Sequence, residues 1–94
     1  MNFQNFKDTL EEKLKDKISF ELLEFQYMPY SFGSGLLAYR INGYNYRLLY
    51  DGKENELTCE QSKAHDKYFG NLNWTKILTQ QNLNTDNIEK IILS

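Results

Sequence analysis

The dipeptide Asn42-Gly43 constrains what this chain can fold into more than any other feature. A type I′ turn needs positive φ at both central residues, and Asn-Gly supplies it at the least steric cost. Apolar and aromatic residues flank the pair on both sides, in segments 36–41 and 44–50. A two-residue turn leaves no freedom of register. Ile41 must face Tyr44, Tyr39 must face Tyr46, and Leu37 must face Leu48. These side chains share one face, which Tyr50 continues. Leu36, Ala38, Arg40, Asn45, Arg47 and Leu49 form the other. The first set reads as a core face, and the second is half polar and expected to stay wet.

The hairpin has neighbours on both sides. Asp51-Gly52 leads through Lys53, Glu54 and Asn55 into a strand over 56–61, and Gly33-Ser34-Gly35 opens the strand at 36. Upstream, Ile18, Phe20 and Leu22 alternate with Ser19 and Glu21. The phase slips at Leu22-Leu23, after which Leu23, Phe25 and Tyr27 carry the apolar set. A strand with a β-bulge at the slip accounts for this. A helix competes, since Phe20, Leu23 and Tyr27 also fall at helical spacing. Pro29 and the hairpins that follow favour the strand. Residues 18–61 therefore read as a four-stranded antiparallel meander.

The ends of the chain read as helical. Phe3, Phe6, Leu10, Leu14 and Ile18 recur at helical spacing among charged residues, predicting an amphipathic helix over 3–17 with Asn2 as N-cap and a Glu11–Lys15 pair. Residues 62–70 suit a short helix closed by Gly70, or a loop. Trp74, Ile77 and Leu78 give a second amphipathic turn after Asn73. Asp86 with Glu89 resembles a capping pair, and Ile88, Ile91 and Ile92 follow at helical spacing, with a β ending as the alternative. The fold class is α+β: an N-terminal helix, a four-stranded antiparallel meander, and one or two C-terminal helices packed on one sheet face. Leu14, Tyr39, Tyr46, Leu48 and Trp74 are the expected core.

Ninety-four residues are expected to form a single domain, since two cores would each fall below the size that folds unaided. The net charge is −2, with nine Lys but only two Arg. That balance speaks against a phosphate-binding face, and it is too weak for an acidic mimic of DNA. Cys59 stands alone, so no internal disulfide forms. The N-terminal residues lack the pattern of a signal peptide, and no apolar run reaches a membrane span, so the expected location is the cytoplasm. Valine is absent, Ala occurs twice, and Asn, Lys, Ile, Tyr and Phe are plentiful. Those residues have AT-rich codons, which suggests a low-GC bacterium, or a phage or mobile element in the cytoplasm of one.

Few residue sets carry chemistry. Cys59, His65 and Asp66 are the types a nucleophile, base and orienter require, but Cys59 shares a strand face with Leu57 and should be a buried, inert thiol. One Cys and one His do not make a zinc site. The segment from Asp51 to Glu56 resembles a calcium loop only in part, since Lys53 takes a ligand position and Glu56 replaces the required glycine. Gly33-Ser34-Gly35 feeds a strand and not a helix, so it reads as a turn and not a phosphate cradle. Asn73-Trp74-Thr75 matches a glycosylation acceptor by chance in a cytoplasmic chain. No catalytic residue, metal or cofactor is expected. The α-β-β-β order resembles double-stranded-RNA-binding domains in topology. Those domains carry a basic cluster at their last helix, and the matching stretch 71–76 holds one Lys. A nucleic-acid or regulatory module, the alternative reading, would need Lys63, Lys67 and Lys76 to converge. A cysteine/histidine-dependent enzyme is a further alternative.

Protein binding is the reading these residues favour. Tyr27, Met28, Tyr30 and Phe32 crowd a turn that contains Pro29, Gly33 and Gly35. Loop aromatics with small neighbours are common interface anchors, and the competing role is to cover the open end of the sheet. Glu54 and Glu56, in the acidic hairpin 51–56, would provide a charged rim on the same side. Arg40 and Arg47 are diagonal neighbours on the wet face. They can clamp a partner carboxylate, or Arg47 can pair with Glu56 or Glu60 on the next strand. Small acidic single-domain proteins of this kind are often stoichiometric inhibitors, such as toxin-immunity proteins and phage anti-defence proteins of the anti-CRISPR type. That step is an analogy of size, composition and source.

Overall fold

The computed structural model describes residues 1–63 and 73–94. Helix α1 (Phe3–Leu14) is followed by strands β1 (Glu21–Met28), β2 (Ser34–Ile41), β3 (Tyr44–Asp51), β4 (Glu56–Lys63) and β5 (Thr75–Gln81), and then by helix α2 (Thr85–Leu93). The strands form one antiparallel sheet in the order β1-β2-β3-β4-β5. The fold class is thus α+β, with five strands where the sequence predicts four.

The turn at 42–43 sets the register as its chemistry requires. Asn42 and Gly43 have φ of 51° and 81°, and Ile41 pairs with Tyr44, Tyr39 with Tyr46, and Leu37 with Leu48. The predicted slip in β1 is present. Leu22 faces Tyr39 and Glu24 faces Ala38, so Leu23 is the extra residue of a bulge.

The core lies between one sheet face and the two helices. Phe3, Phe6, Leu10 and Leu14 of α1 and Ile88 and Ile92 of α2 close over Leu37, Tyr39, Ile41, Tyr46, Leu48, Leu57 and Cys59. Asn2 caps α1 by accepting from Asn5 N at 2.7 Å, and Asn5 returns the bond in a capping box. The helix is three residues shorter than its apolar spacing suggests. Beyond Leu14 the backbone tightens, with Lys17 N and Ile18 N both donating to Leu14 O. Glu11 lies not with Lys15 but under Lys7 at 3.3 Å and over the Tyr39 hydroxyl, which donates to it at 2.7 Å. Lys15 instead meets Glu12 at 2.8 Å. Two ion pairs tie α2 to α1 and to the turn that follows it, Lys13–Asp86 at 2.8 Å and Lys17–Glu89 at 2.9 Å.

Three expectations for the C-terminal third are corrected. Trp74, Ile77 and Leu78 do not form a helical turn. Thr75–Gln81 is a strand that pairs along β4, with Leu78 facing Cys59 and Gln80 facing Leu57. Its residues Thr75, Ile77 and Thr79 are β-branched, which suits a pleated surface. A register shift beside Cys59/Glu60 interrupts the alternation and imitates helical spacing. Trp74 is half-buried and lies outside the core, because its ring stacks on Arg47 instead. The cap of α2 is Asn84, which accepts from Asp86 N at 2.8 Å, while Glu89 points to Lys17. The expected short helix or loop at 62–70 begins as the end of β4, and its positions from 64 onward lie outside the described residues.

Candidate functional site

Between β1 and β2 the chain reverses through Pro29, Tyr30, Ser31, Phe32 and Gly33. Two backbone bonds of 3.0 Å shape the loop: Ser31 N donates to Met28 O, and Ser34 N donates to Ser31 O. The second turn forces Phe32 to φ 58° and Gly33 to φ 74°. The left-handed region suits Gly33 but is disfavoured for a side chain such as phenylalanine, by about 1–2 kcal/mol. The strain does not serve burial. Phe32 is 71% exposed, Tyr30 103% and Met28 41%. Tyr27 differs from these three, because it faces Gly35 and packs against the core cluster.

The turn between β3 and β4 is built against this loop. Gly52 N donates to Ser34 Oγ at 2.9 Å. A Cβ at position 52 would collide with the Phe32 carbonyl, so only glycine allows the two loops to touch. Asp51 Oδ1 accepts from Lys53 N and Glu54 N at 3.1 and 3.3 Å. Asn55, at φ 52°, takes the Tyr50 hydroxyl on its side chain at 2.7 Å and Asn82 N on its carbonyl at 2.9 Å. The Lys53 ammonium stands 6.0 Å from the centre of the Phe32 ring. The aromatic loop and the acidic turn therefore form one surface at one end of the sheet. Among the described residues, Asp51, Glu54 and Glu56 enter no ion pair, whereas Glu11, Glu12, Glu60, Asp86 and Glu89 all do.

The two arginines lie on the sheet face opposite the helices, away from that end. Arg47 Nε and Nη2 donate to Glu60 Oε1 at 2.9 and 2.6 Å, and its guanidinium lies 4.3 Å from the centre of the Trp74 ring. The structural role weighed in the sequence, a cross-strand pair, is thus the one Arg47 fills. Arg40 Nε donates to Asn45 Oδ1 at 3.1 Å, and the buried Asn45 donates to Ser62 Oγ at 3.2 Å. The sequence reasoning missed Trp74 as part of this face, and it expected Asn45 here to stay wet, whereas Asn45 is fully buried. Trp74 leaves no periodic signal there, whereas the register from Asn42-Gly43 already placed Asn45 beside Arg40.

The remaining candidates separate. Cys59 is fully buried, and desolvation, reinforced by the neighbouring Glu60 carboxylate, pushes its thiol up to about 12. A thiol so placed is not a nucleophile at neutral pH. His65 and Asp66 lie outside the described residues. Lys63 faces Tyr44 on the helix side of the sheet, and Lys76 faces Glu60 on the other, so these two lysines do not converge. Lys67 lies outside the described residues. Among the described residues no group of three His, Cys, Asp or Glu side chains is close enough to hold a metal ion. No described helix is long and apolar enough to cross a membrane.

No protein-family model, curated protein or solved structure matches this chain. The class its fold defines is an α+β two-layer domain with helices on one face of a five-stranded antiparallel meander.

Proposed function

We propose that this chain is a small protein-binding module that acts stoichiometrically, as an inhibitor of a larger protein, through the end of the sheet formed by Met28, Tyr30, Phe32 and the 51–56 turn. One observation carries the reading. The Phe32 ring is held out in solvent on a backbone conformation that phenylalanine disfavours. A loop that only reversed the chain would place Gly or Asn there, and exposed rings gain nothing in water. Strain kept at an exposed aromatic points to use of that side chain. Small size, acidic balance and AT-rich codon usage support the inhibitor class, of which toxin-immunity and phage anti-defence proteins are examples.

The test is affinity capture from cells of the organism that encodes the chain, comparing the natural sequence with Tyr30→Ala and Phe32→Ala. Both variants should melt within about 1 kcal/mol of the natural protein, as exposed sites do. Both should lose the same captured protein, with binding weakened by about 2 kcal/mol or more. A variant that unfolds while binding per folded molecule persists would make the rings structural and the surface wrong.

A further inference from the structure

We infer that the partner presents an apolar pocket rimmed by Lys or Arg side chains, and that it is neither nucleic acid nor a second copy of this chain. The inference rests on the binding reading above and adds the partner's chemistry.

The first observation is a cluster of carboxylates: Asp51, Glu54 and Glu56 lie together in one turn without an ion pair among the described residues, whereas Asp16 and Glu21, which also enter none, lie apart from it. The carboxylates of α1, α2 and the open sheet face that pair do so internally, as with Glu11, Asp86, Glu89 and Glu60. The carboxylates around the aromatic loop do not: Asp51, Glu54 and Glu56 have no cationic partner among the described residues. Lys53, the cation of that turn, is directed at the Phe32 ring instead of at a carboxylate. The surface therefore has an apolar centre and an acidic rim, which is complementary to an apolar pocket with a basic rim.

The same charges reject the other occupants. A polyphosphate backbone would meet three carboxylates with one lysine to offset them. A second copy docking through this end about a twofold axis would set the same patch against itself. The two acidic rims would then face each other, and like charges across an interface are strongly unfavourable. The second observation is the link between the two loops. They are joined by the Gly52–Ser34 hydrogen bond and by backbone contact between Gly52 and Phe32, and Asn82 anchors Asn55 from the far side. The aromatic loop and the acidic turn are thus neighbours on one surface, so both are presented together to one partner.

The experiment is an amide NMR titration of the full chain with two synthetic amphipathic peptides of about 20 residues, long enough to form a helix. One is built from Leu, Ala and Lys, and the other has Glu in place of Lys. The Lys peptide should shift amides at 28–34 and 51–56 selectively. Its affinity should fall about tenfold between roughly 50 and 300 mM salt, as screening removes the rim's contribution. Glu54→Gln combined with Glu56→Gln should reproduce that loss at low salt, with the rest of the spectrum unchanged as proof of folding. The Glu peptide should leave the loop untouched. If both peptides shift the loop equally and without salt dependence, the partner's charge is wrong but the binding loop stands. If neither moves the loop, or the shifts fall on the open sheet face, the loop reading fails as well. Concentration-dependent shifts of residues 28–34 in the chain alone would make the partner a second copy and overturn the inference.

Discussion

Phe32 is the residue where local preference and observed structure disagree most. Asparagine occupies the left-handed region more readily than phenylalanine, because its short polar side chain bonds to the local backbone. Phe32→Asn should therefore raise stability by about 1 kcal/mol, the low end of the scale of one relieved backbone conformation. A denaturant melt checks the sign. A clear loss would mean that the ring contributes packing its exposure does not suggest. The buried Phe6 gives the contrast, since its truncation to Ala should cost about 3–5 kcal/mol. The sequence marks Tyr30 and Phe32 as rings in a turn, but it leaves open whether they cover the core or face outward. That choice depends on where Ser34 bonds back, which no spacing records. Tyr27 belongs to the same run of residues and goes the other way, because the bulge at Leu23 turns both Phe25 and Tyr27 to the core face.

Among the elements, legibility follows how local the deciding interaction is. The β2–β3 pairing depends on one dipeptide and is read residue for residue. The bulge in β1 shows as a slip of alternation within six residues. β5 is not local, because its identity depends on the free edge of β4, and its own bulge gives Trp74, Ile77 and Leu78 a helical spacing. The capping of α2 is similar. Asp86 and Glu89 have the right types for a capping pair, but the cap is Asn84, while Asp86 bonds to Lys13 on the other helix and Glu89 to Lys17 in the turn that follows that helix. The helix–sheet contact is what these elements exist to make, and it sets an expectation for stability. Leu14 of α1 and Leu48 of β3 are both fully buried in the same cluster. Leu14→Ala and Leu48→Ala should each lose about 2–5 kcal/mol in a denaturant melt. A loss below about 1 kcal/mol at both would show that α1 does not cover the sheet in solution.

For the molecule as a whole, the burial of ionisable groups without charge sets the pH range of stability. Cys59 is pushed up to about 12, Tyr39 is raised further by desolvation and by its bond to the Glu11 carboxylate, and burial also raises Tyr46 and Tyr50. Each group keeps its proton in the folded state beyond the point at which the unfolded chain releases it. Unfolding therefore releases protons at high pH, and stability falls as pH rises. The contribution is complete below the unfolded values, about 8.5 for Cys and about 10 for Tyr. The fall should thus begin above about pH 8.5 and steepen above about pH 10, with each group adding at most about 1.4 kcal/mol per pH unit. The acid side has the opposite sign. The hydrogen bond and charge of Lys13 hold Asp86 below the usual carboxylate range, so its contribution is present above the unfolded value and lost as pH falls through the folded one. Urea melts between pH 7 and pH 11 test the alkaline limb. Tyr39→Phe should remove about one proton from its slope above pH 10, because its ring stays in the core while its hydroxyl no longer titrates. A slope identical to that of the natural protein would place the Tyr39 hydroxyl in solvent and detach Glu11 from the sheet.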